Sequence, residues 1–449
     1  MLRGDTGMTD AEYPVRPSLG GRRRGSALLL LSIAIILGGG GVRYALMNAA
    51  VQLSALALLA TRPACVRPFW QTAPTGLRIL LVATLGLPAI QLIPLPPALW
   101  QALPGRDLVA ESLALAGNPG LWMPLSLDPG RTLVALVGLT APTILLILAM
   151  GGGKSERALI LPGLAALGLA SLLLGAGQLI SASQALNWFP GGNPHQLYGG
   201  FANHNSAGLF LIIALSATIA IPTPAKMAQQ AIKLAACLLL IVGVLLTQSR
   251  SSIALLILPA AQWLLALARR QSVNRARCTG VLAGAMAIAL VGLAAAATNN
   301  GRLNQTLDRF DSLHDARGLI WQDSLIAIGR YWPIGSGVGT FDEVFQIDES
   351  IENVNRHRAG RAHNDFLELL LEAGVAGAVL CLGWIAYIGK LAVPLFRRNE
   401  NHAIAPPIIL IAILLQSFID YPLRNQAILC IAASMIAFTT SESKRIRMK

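Results

Sequence analysis

Arg361-Ala362-His363-Asn364-Asp365-Phe366-Leu367-Glu368 joins a long polar segment to an apolar run that continues to residue 389. As a helix, 366–389 is long enough to cross a hydrocarbon core of about 30 Å. At its threshold stands a histidine, the side chain best suited to proton transfer near neutral pH. Both parts of that reading extend outward: apolar blocks that span, and polar chemistry gathered where they end.

Of the 449 residues, 54% are hydrophobic and 13% charged, against roughly 25% charged in a soluble domain. Apolar blocks recur at 27–41, 44–60, 77–95, 132–150, 158–180, 206–222, 231–247, 251–268, 279–297, 366–389, 403–419 and 425–440. They predict an all-α polytopic membrane protein with about 12 transmembrane helices. The expected layout is a disordered basic cytoplasmic tail over 1–25, a single transmembrane domain over 26–440, and a basic tail over 441–449. Arg22, Arg23 and Arg24 ahead of the first block also admit a signal peptide. No small-x-small cleavage site follows cleanly, so a retained first helix is expected.

The net charge of +13 invites a nucleic-acid partner, but its placement argues against one. With both termini inside, the inner segments hold roughly two thirds of the Lys and Arg, the bias of cytoplasmic loops. The acids run the other way. The basicity reads as topology with a pull toward anionic inner-leaflet lipid. Cys65 and Cys278 fall inside, and Cys237, Cys381 and Cys430 within spans. With none in an outer loop and no metal-ligand spacing, these are apolar packing residues.

Three outer segments have the length to carry function: 96–131, 181–205 and 298–365. The first is rich in Pro and Gly, with Trp100 and Trp122 as expected interfacial anchors. The third is a long, partly helical outer loop. Leu319, Ile320, Leu325 and Ile328 predict an amphipathic helix over 317–330. Beyond Pro333, the run Gly335-Ser336-Gly337-Val338-Gly339 predicts a turn. It is no dinucleotide fingerprint, because it follows a helical pattern and not a strand.

Three polar elements face the outer side. Arg250 sits in the short turn Thr247-Gln248-Ser249-Arg250-Ser251-Ser252, Arg317 heads the loop helix with Trp321 one turn later, and His363 ends the loop. An arginine just outside a span commonly snorkels to lipid phosphate. Arg250 is held close to helix ends, where its planar fork suits bidentate recognition of phosphate oxygens.

On these residues the chain resembles the O-antigen ligase and polymerase superfamily of membrane glycosyltransferases. Gly200-Phe201-Ala202-Asn203-His204-Asn205-Ser206-Ala207-Gly208 resembles that family's F-x-N-x-N-x-x-A segment, and Thr247 through Ser251 its T-x-S-R turn. His363-Asn364, nine residues, then Gly374-Val375-Ala376-Gly377 is similar to the ligase motif H-[NSQ]-x9-G-x-x-[GTY]. The similar region runs over about 195–385, under half the chain. In the ligase pattern R-x3-L, leucine is asked for at 254, where this chain has Ala254 with Leu255 next.

The resemblance implies a GT-C-like fold and a glycan donor linked to polyprenyl (undecaprenyl) diphosphate, with no nucleotide sugar, metal or other cofactor. The acceptor is a glycan or lipid A-core hydroxyl, or another lipid-linked repeat unit in a polymerase, or a protein hydroxyl. The expected place is the periplasmic face of a bacterial inner membrane, in lipopolysaccharide or other cell-surface polysaccharide synthesis. A departing diphosphate needs fixed cations in a poorly hydrated site, for which Arg250 and Arg317 are the candidates. The acceptor hydroxyl needs a base, for which His363 is the candidate. Asn203, His204, Asn205, Trp321, Asn364 and Glu368 are candidates for the donor or acceptor pocket.

Asp365, Glu368 and Glu372 share one helix face. They favour the N-terminal dipole, or one of them stabilises a protonated His363. His195, His314, His357 and His402 show no pattern. Asp342, Glu343, Asp348, Glu349 and Glu352 read as a solvated acidic surface in preference to a hard-cation site. Trp188, Tyr198, Trp321, Tyr331 and Trp332 could stack on sugar rings, but as a group read as interfacial aromatics in preference to sugar platforms. The rival from another class is a transporter or flippase of lipid-linked sugars. That class places ionisable groups near the bilayer midplane, whereas here they gather at one face.

Overall fold

The computed structural model describes residues 25–181, 186–190, 192–268, 316–354, 358–397 and 401–447. The expected span at 279–297, the basic tail to residue 24, residues 448 and 449, Cys278, His314 and His357 lie outside them. The main helices are α1 (Ser26–Leu37), α2 (Ala45–Thr61), α3 (Thr75–Gln91), α4 (Pro129–Gly138), α5 (Thr140–Gly151), α6 (Ile160–Ser181), α7 (His204–Ala220) and α8 (Met227–Leu246). They continue as α9 (Arg250–Leu255), α10 (Ile257–Ala268), α11 (Ala316–Tyr331), α12 (Phe341–Asp348), α13 (Asp365–Phe396), α14 (Asn401–Gln416) and α15 (Gln426–Arg447). Two-residue strands, Pro94–Leu95 and Met123–Pro124, pair antiparallel and close the segment between α3 and α4.

A helix lies at every predicted span within the described residues, so the protein is an all-α membrane protein. The expectation of about 12 crossings, taken from spacing alone, is matched in part. Among the described residues, four helical stretches are long and apolar enough to cross a membrane: Pro129–Gly151, Gly153–Ser181, Met227–Leu246 and Asp365–Phe396. A fifth candidate joins Ala45–Thr61 to Pro63–Thr72 across an 81° bend. The difference comes from breaks and polar helix ends, which shorten α1, α3, α7, α9–α10 and α14.

α7 is buried around almost its whole circumference, as expected of an apolar helix without a polar face. It packs against α6, α8, α9, α10 and α14. α15 packs on α1, α5, α13 and α14. α1 belongs to the same body: Leu30, Leu31 and Ala34 are buried, and Glu156 accepts hydrogen bonds from Gly25 N (2.9 Å) and Ala27 N (3.1 Å) at its N-terminus.

A second core sits at one end of α13. Ala327, Tyr331, Phe341, Val344, Phe345, Ala362 and Leu371 join α11 and α12 to it, with Ile320 and Ile328 packed alongside. The predicted amphipathic helix forms, but its inward stripe differs from the predicted one. Leu319 and Leu325 face outward, while Asp323, Ser324, Ala327 and Tyr331 are buried. The polar pair is tolerated because Asp323 accepts from Ser350 and Asn353, and the Ser324 hydroxyl donates to Ile320 O one turn back in its own helix. Trp100 is no surface anchor either: it is buried and its indole N–H reaches Leu121 O at 2.9 Å, while Trp122 is 60% exposed.

The glycine-rich turn repairs a break in α13. Gly374 stands at φ 51°, ψ −136°, inside the helix, a conformation open to glycine alone. The kink frees backbone groups that must find other partners. Leu371 O accepts from Ser336 N (3.0 Å), Glu372 O from Gly337 N (2.8 Å) and Gln91 Nε2 (3.0 Å), and Val375 N donates to Pro333 O (3.0 Å). A Cβ on Gly374 would lie 2.0 Å from Pro333 O.

Candidate functional site

Five segments distant in sequence meet at one end of the bundle: the entry to α7, the turn before α9, the α11 entry, the α13 entry, and the turn 417–425 between α14 and α15. Local sequence explains each arrival. Asn203 caps α7 by accepting from Asn205 N (2.8 Å), Ser249 caps α9 by accepting from Ser252 N (3.2 Å), and Asn364 caps α13 by accepting from Phe366 N (2.9 Å) and Leu367 N (3.2 Å). Asn and Ser are favoured there because their oxygens satisfy orphan helix N–H groups.

The first two of these segments are tied together. Ser249 Oγ donates to Asn205 Oδ1 (2.8 Å), Ser252 Oγ to Asn205 O (3.4 Å), and His204 Nδ1 meets Thr247 O (3.1 Å). Gly208 permits the approach, since a Cβ there would fall 2.3 Å from Ser252 Oγ. Arg250, next to the Ser249 cap, is exposed.

His363 stands at φ 51°, in the left-handed region, at a cost of about 1–2 kcal/mol for a residue with a Cβ. Its Nδ1 lies 3.2 Å from Asp420 Oδ1; the histidine side chain is 33% exposed and the aspartate 3%. The other carboxylate oxygen, Asp420 Oδ2, accepts from Asn203 Nδ2 at 3.3 Å. Burial pushes the Asp420 carboxyl up, but the hydrogen bond and charge of His363 and the charge of Arg317 outweigh it and hold the group below the usual carboxylate range. Tyr421 adds a ring 5.0 Å from the imidazole. Its hydroxyl is pushed up to about 12 by burial and by the Asp420 charge. The Arg361 guanidinium lies 6.0 Å from the centre of that ring.

Beneath His363 is a buried ionic cluster. Arg424 reaches Glu372 Oε2 (2.7 Å), Glu368 Oε2 (3.3 Å) and Asp365 Oδ1 (3.7 Å), and Arg361 reaches Glu368 Oε2 (3.0 Å). Burial works against the Arg424 charge, yet the three carboxylates raise its pKa well above the ordinary arginine value. Asp365 also accepts from Ser417 Oγ (2.9 Å) and Leu423 N (3.2 Å). Single removal of a member of such a buried network leaves an uncompensated charge. The expectation that one of Asp365, Glu368 and Glu372 attends the imidazole is corrected here: these carboxylates face Arg424, and the ring's partner is Asp420.

His363, Arg317 and Asn203 thus converge on Asp420, and Asn205 and Ser249 connect that centre to the Arg250 turn. Asn364 gives its amide oxygen to the helix cap. Trp321 donates its indole N–H to Ala362 O (2.8 Å), and Glu368 accepts from Ala362 N (3.0 Å). Elsewhere, Tyr331 is buried. The loop acids pair with arginines: Glu343 with Arg131 (2.6 Å), Asp342 with Arg358 (2.8 Å) and Asp348 with Arg330 (2.8 Å). Sequence reading missed Asp420, Tyr421 and Arg424. The available signal was an Asp, a Tyr and an Arg within one short turn between two apolar blocks, on the side where the other polar groups gather.

No curated protein matches the chain. The sequence model of a family described as O-antigen ligase matches residues 235–382. The match takes in Arg250, Arg317, His363, Gly374 and Gly377, and ends before Asp420. The family indicates an enzyme of the ligase or glycosyltransferase type. Over those residues, about a third of the chain, it is similar to the O-antigen ligase family.

Proposed function

We propose that the protein is a metal-independent glycosyltransferase that moves a glycan from a polyprenyl diphosphate to an acceptor hydroxyl at the periplasmic face of the inner membrane. The observation that carries this reading is the His363–Asp420 pair beside Arg317. An ionised carboxylate only accepts hydrogen bonds. A hydrogen bond from His363 to Asp420 therefore places the proton on Nδ1 and leaves the Nε2 lone pair as the base.

The acceptor O–H approaches the anomeric carbon from the His363 side. The new C–O bond forms as the bond from that carbon to the diphosphate oxygen breaks. The hydroxyl proton passes to Nε2, and the imidazolium is stabilised by Asp420 as charge develops. The polyprenyl diphosphate departs with its negative charge facing the guanidinium groups of Arg250 and Arg317. Fixed cations at that position supply what a divalent ion supplies elsewhere.

The test uses purified full-length protein, an undecaprenyl-diphosphate-linked glycan, and excess EDTA, with and without lipid A-core. A single acceptor-dependent mobility shift supports the ligase form, and laddering without acceptor supports the polymerase form. Transfer that appears only on adding a divalent ion removes the metal-independent mechanism. No transfer under any of these conditions removes the enzymatic reading.

A further inference from the structure

His363 keeps a left-handed backbone, which an L side chain adopts only where its surroundings enforce it. The φ of His363 is set by the plane of the peptide joining it to Ala362. That plane carries Ala362 O, which accepts the Trp321 indole N–H at 2.8 Å. The preceding peptide carries Ala362 N–H, which donates to Glu368 Oε1 at 3.0 Å. Ala362 itself is fully buried, so both peptides are closed to water as alternative partner. Glu368 is in turn fixed through Oε2 by Arg361 and Arg424. On the far side of His363, the Asn364 cap and the bond from Asp365 N to Ser417 O (2.9 Å) fix the chain.

We propose that Trp321 and Glu368 are positioning residues, which grip the two peptide groups before His363 and hold its imidazole against Asp420. The inference rests on the reading of His363 as the base. It gives Trp321 and Glu368 a role distinct from lining a sugar pocket. Arg424 acts one step further back, by orienting Glu368. A single turn, 417–425, therefore supplies both the ring's partner and the brace for its backbone.

The experiment compares wild type, Trp321→Phe, Glu368→Ala, Glu368→Gln and His363→Ala as purified full-length proteins. The probes are an undecaprenyl-diphosphate-linked glycan and lipid A-core, with folding checked by thermal melting. Phenylalanine keeps an aromatic ring at position 321 while losing the donor and the pyrrole part of the indole, so the melting check controls for lost packing. Trp321→Phe is expected to lower kcat about 10- to 100-fold, the scale of a catalytic group displaced by about an ångström. KM for the donor should stay within about twofold, since a sugar-stacking residue would move KM first. Glu368→Gln keeps an oxygen for Ala362 N–H and is expected to recover at least about tenfold over Glu368→Ala.

A proton spectrum supplies the second readout. A downfield imidazole N–H resonance that disappears in His363→Ala should be lost or broadened in Trp321→Phe while the protein stays folded. Wild-type kcat or an unchanged resonance in Trp321→Phe, with His363→Ala inactive, overturns the positioning role and leaves the base intact. Turnover by His363→Ala overturns the base itself.

Discussion

At the scale of single residues, Asp420 is a buried carboxylate held below its ordinary value, against burial, by the hydrogen bond and charge of His363, the charge of Arg317 and the Tyr421 backbone, with Asn203 donating to its other oxygen. Asp420→Asn keeps the shape and removes the charge that fixes the imidazole's proton. Transfer is expected to fall by about 10²- to 10⁴-fold, the range for general-base catalysis and its orienting carboxylate, with the melting curve still cooperative. The pH dependence has a definite sign. The Asp420 carboxyl is held below its ordinary value, so its stabilisation is complete above the unfolded value of about 3.9. It is lost as pH falls through the lower folded value. Melting temperatures measured down the acid range should show Asp420→Asn losing less than wild type, and parallel curves would count against the pairing. Arg250 is exposed on the first turn of α9, so Arg250→Lys tests chemistry with little demand on folding. Loss of the bidentate fork should lower kcat/KM about 10- to 100-fold; unchanged kinetics would mean that the side chain only reaches toward lipid.

At the scale of elements, α13 shows why a glycine spaced after the histidine matters. Gly374 breaks the helix, and the turn 333–337 with Gln91 takes over the bonds the helix gives up. Gly374→Ala adds both a forbidden backbone conformation and a Cβ in contact with Pro333 O. It should destabilise the protein by on the order of 3 kcal/mol, read as a lower melting temperature in detergent with reduced transfer. An alanine variant that melts with wild type would show that the kink is not needed. The start of α13 was legible in sequence, because Asn364 before an apolar run is a helix-entry signal. The kink was not, since its partners lie some 40 residues upstream at 333–337 and on α3. The inward face of α11 was misread for a related reason. Asp323 is buried because a later segment, around Ser350, brings it partners, while Ser324 is satisfied by Ile320 O of its own helix.

At the scale of the whole molecule, the apolar blocks fixed where helices form within the described residues, and the clustering of polar residues at block ends marked the end of the bundle where the proposed site lies. Block spacing alone does not fix the number of crossings, because it says nothing of breaks between helices or of the 81° bend after α2. His363, Arg317 and Asn203 were each legible as candidates. Their common partner was not, because Asp420 acquires its role only when α14 and α15 carry the 417–425 turn against the α13 entry. The site is therefore a property of the assembled bundle, with His363 at its centre. The most direct measurement is glycan transfer by purified full-length His363→Ala, with its melting temperature matched to wild type. Transfer reduced to background is the predicted result, and wild-type transfer would contradict the account.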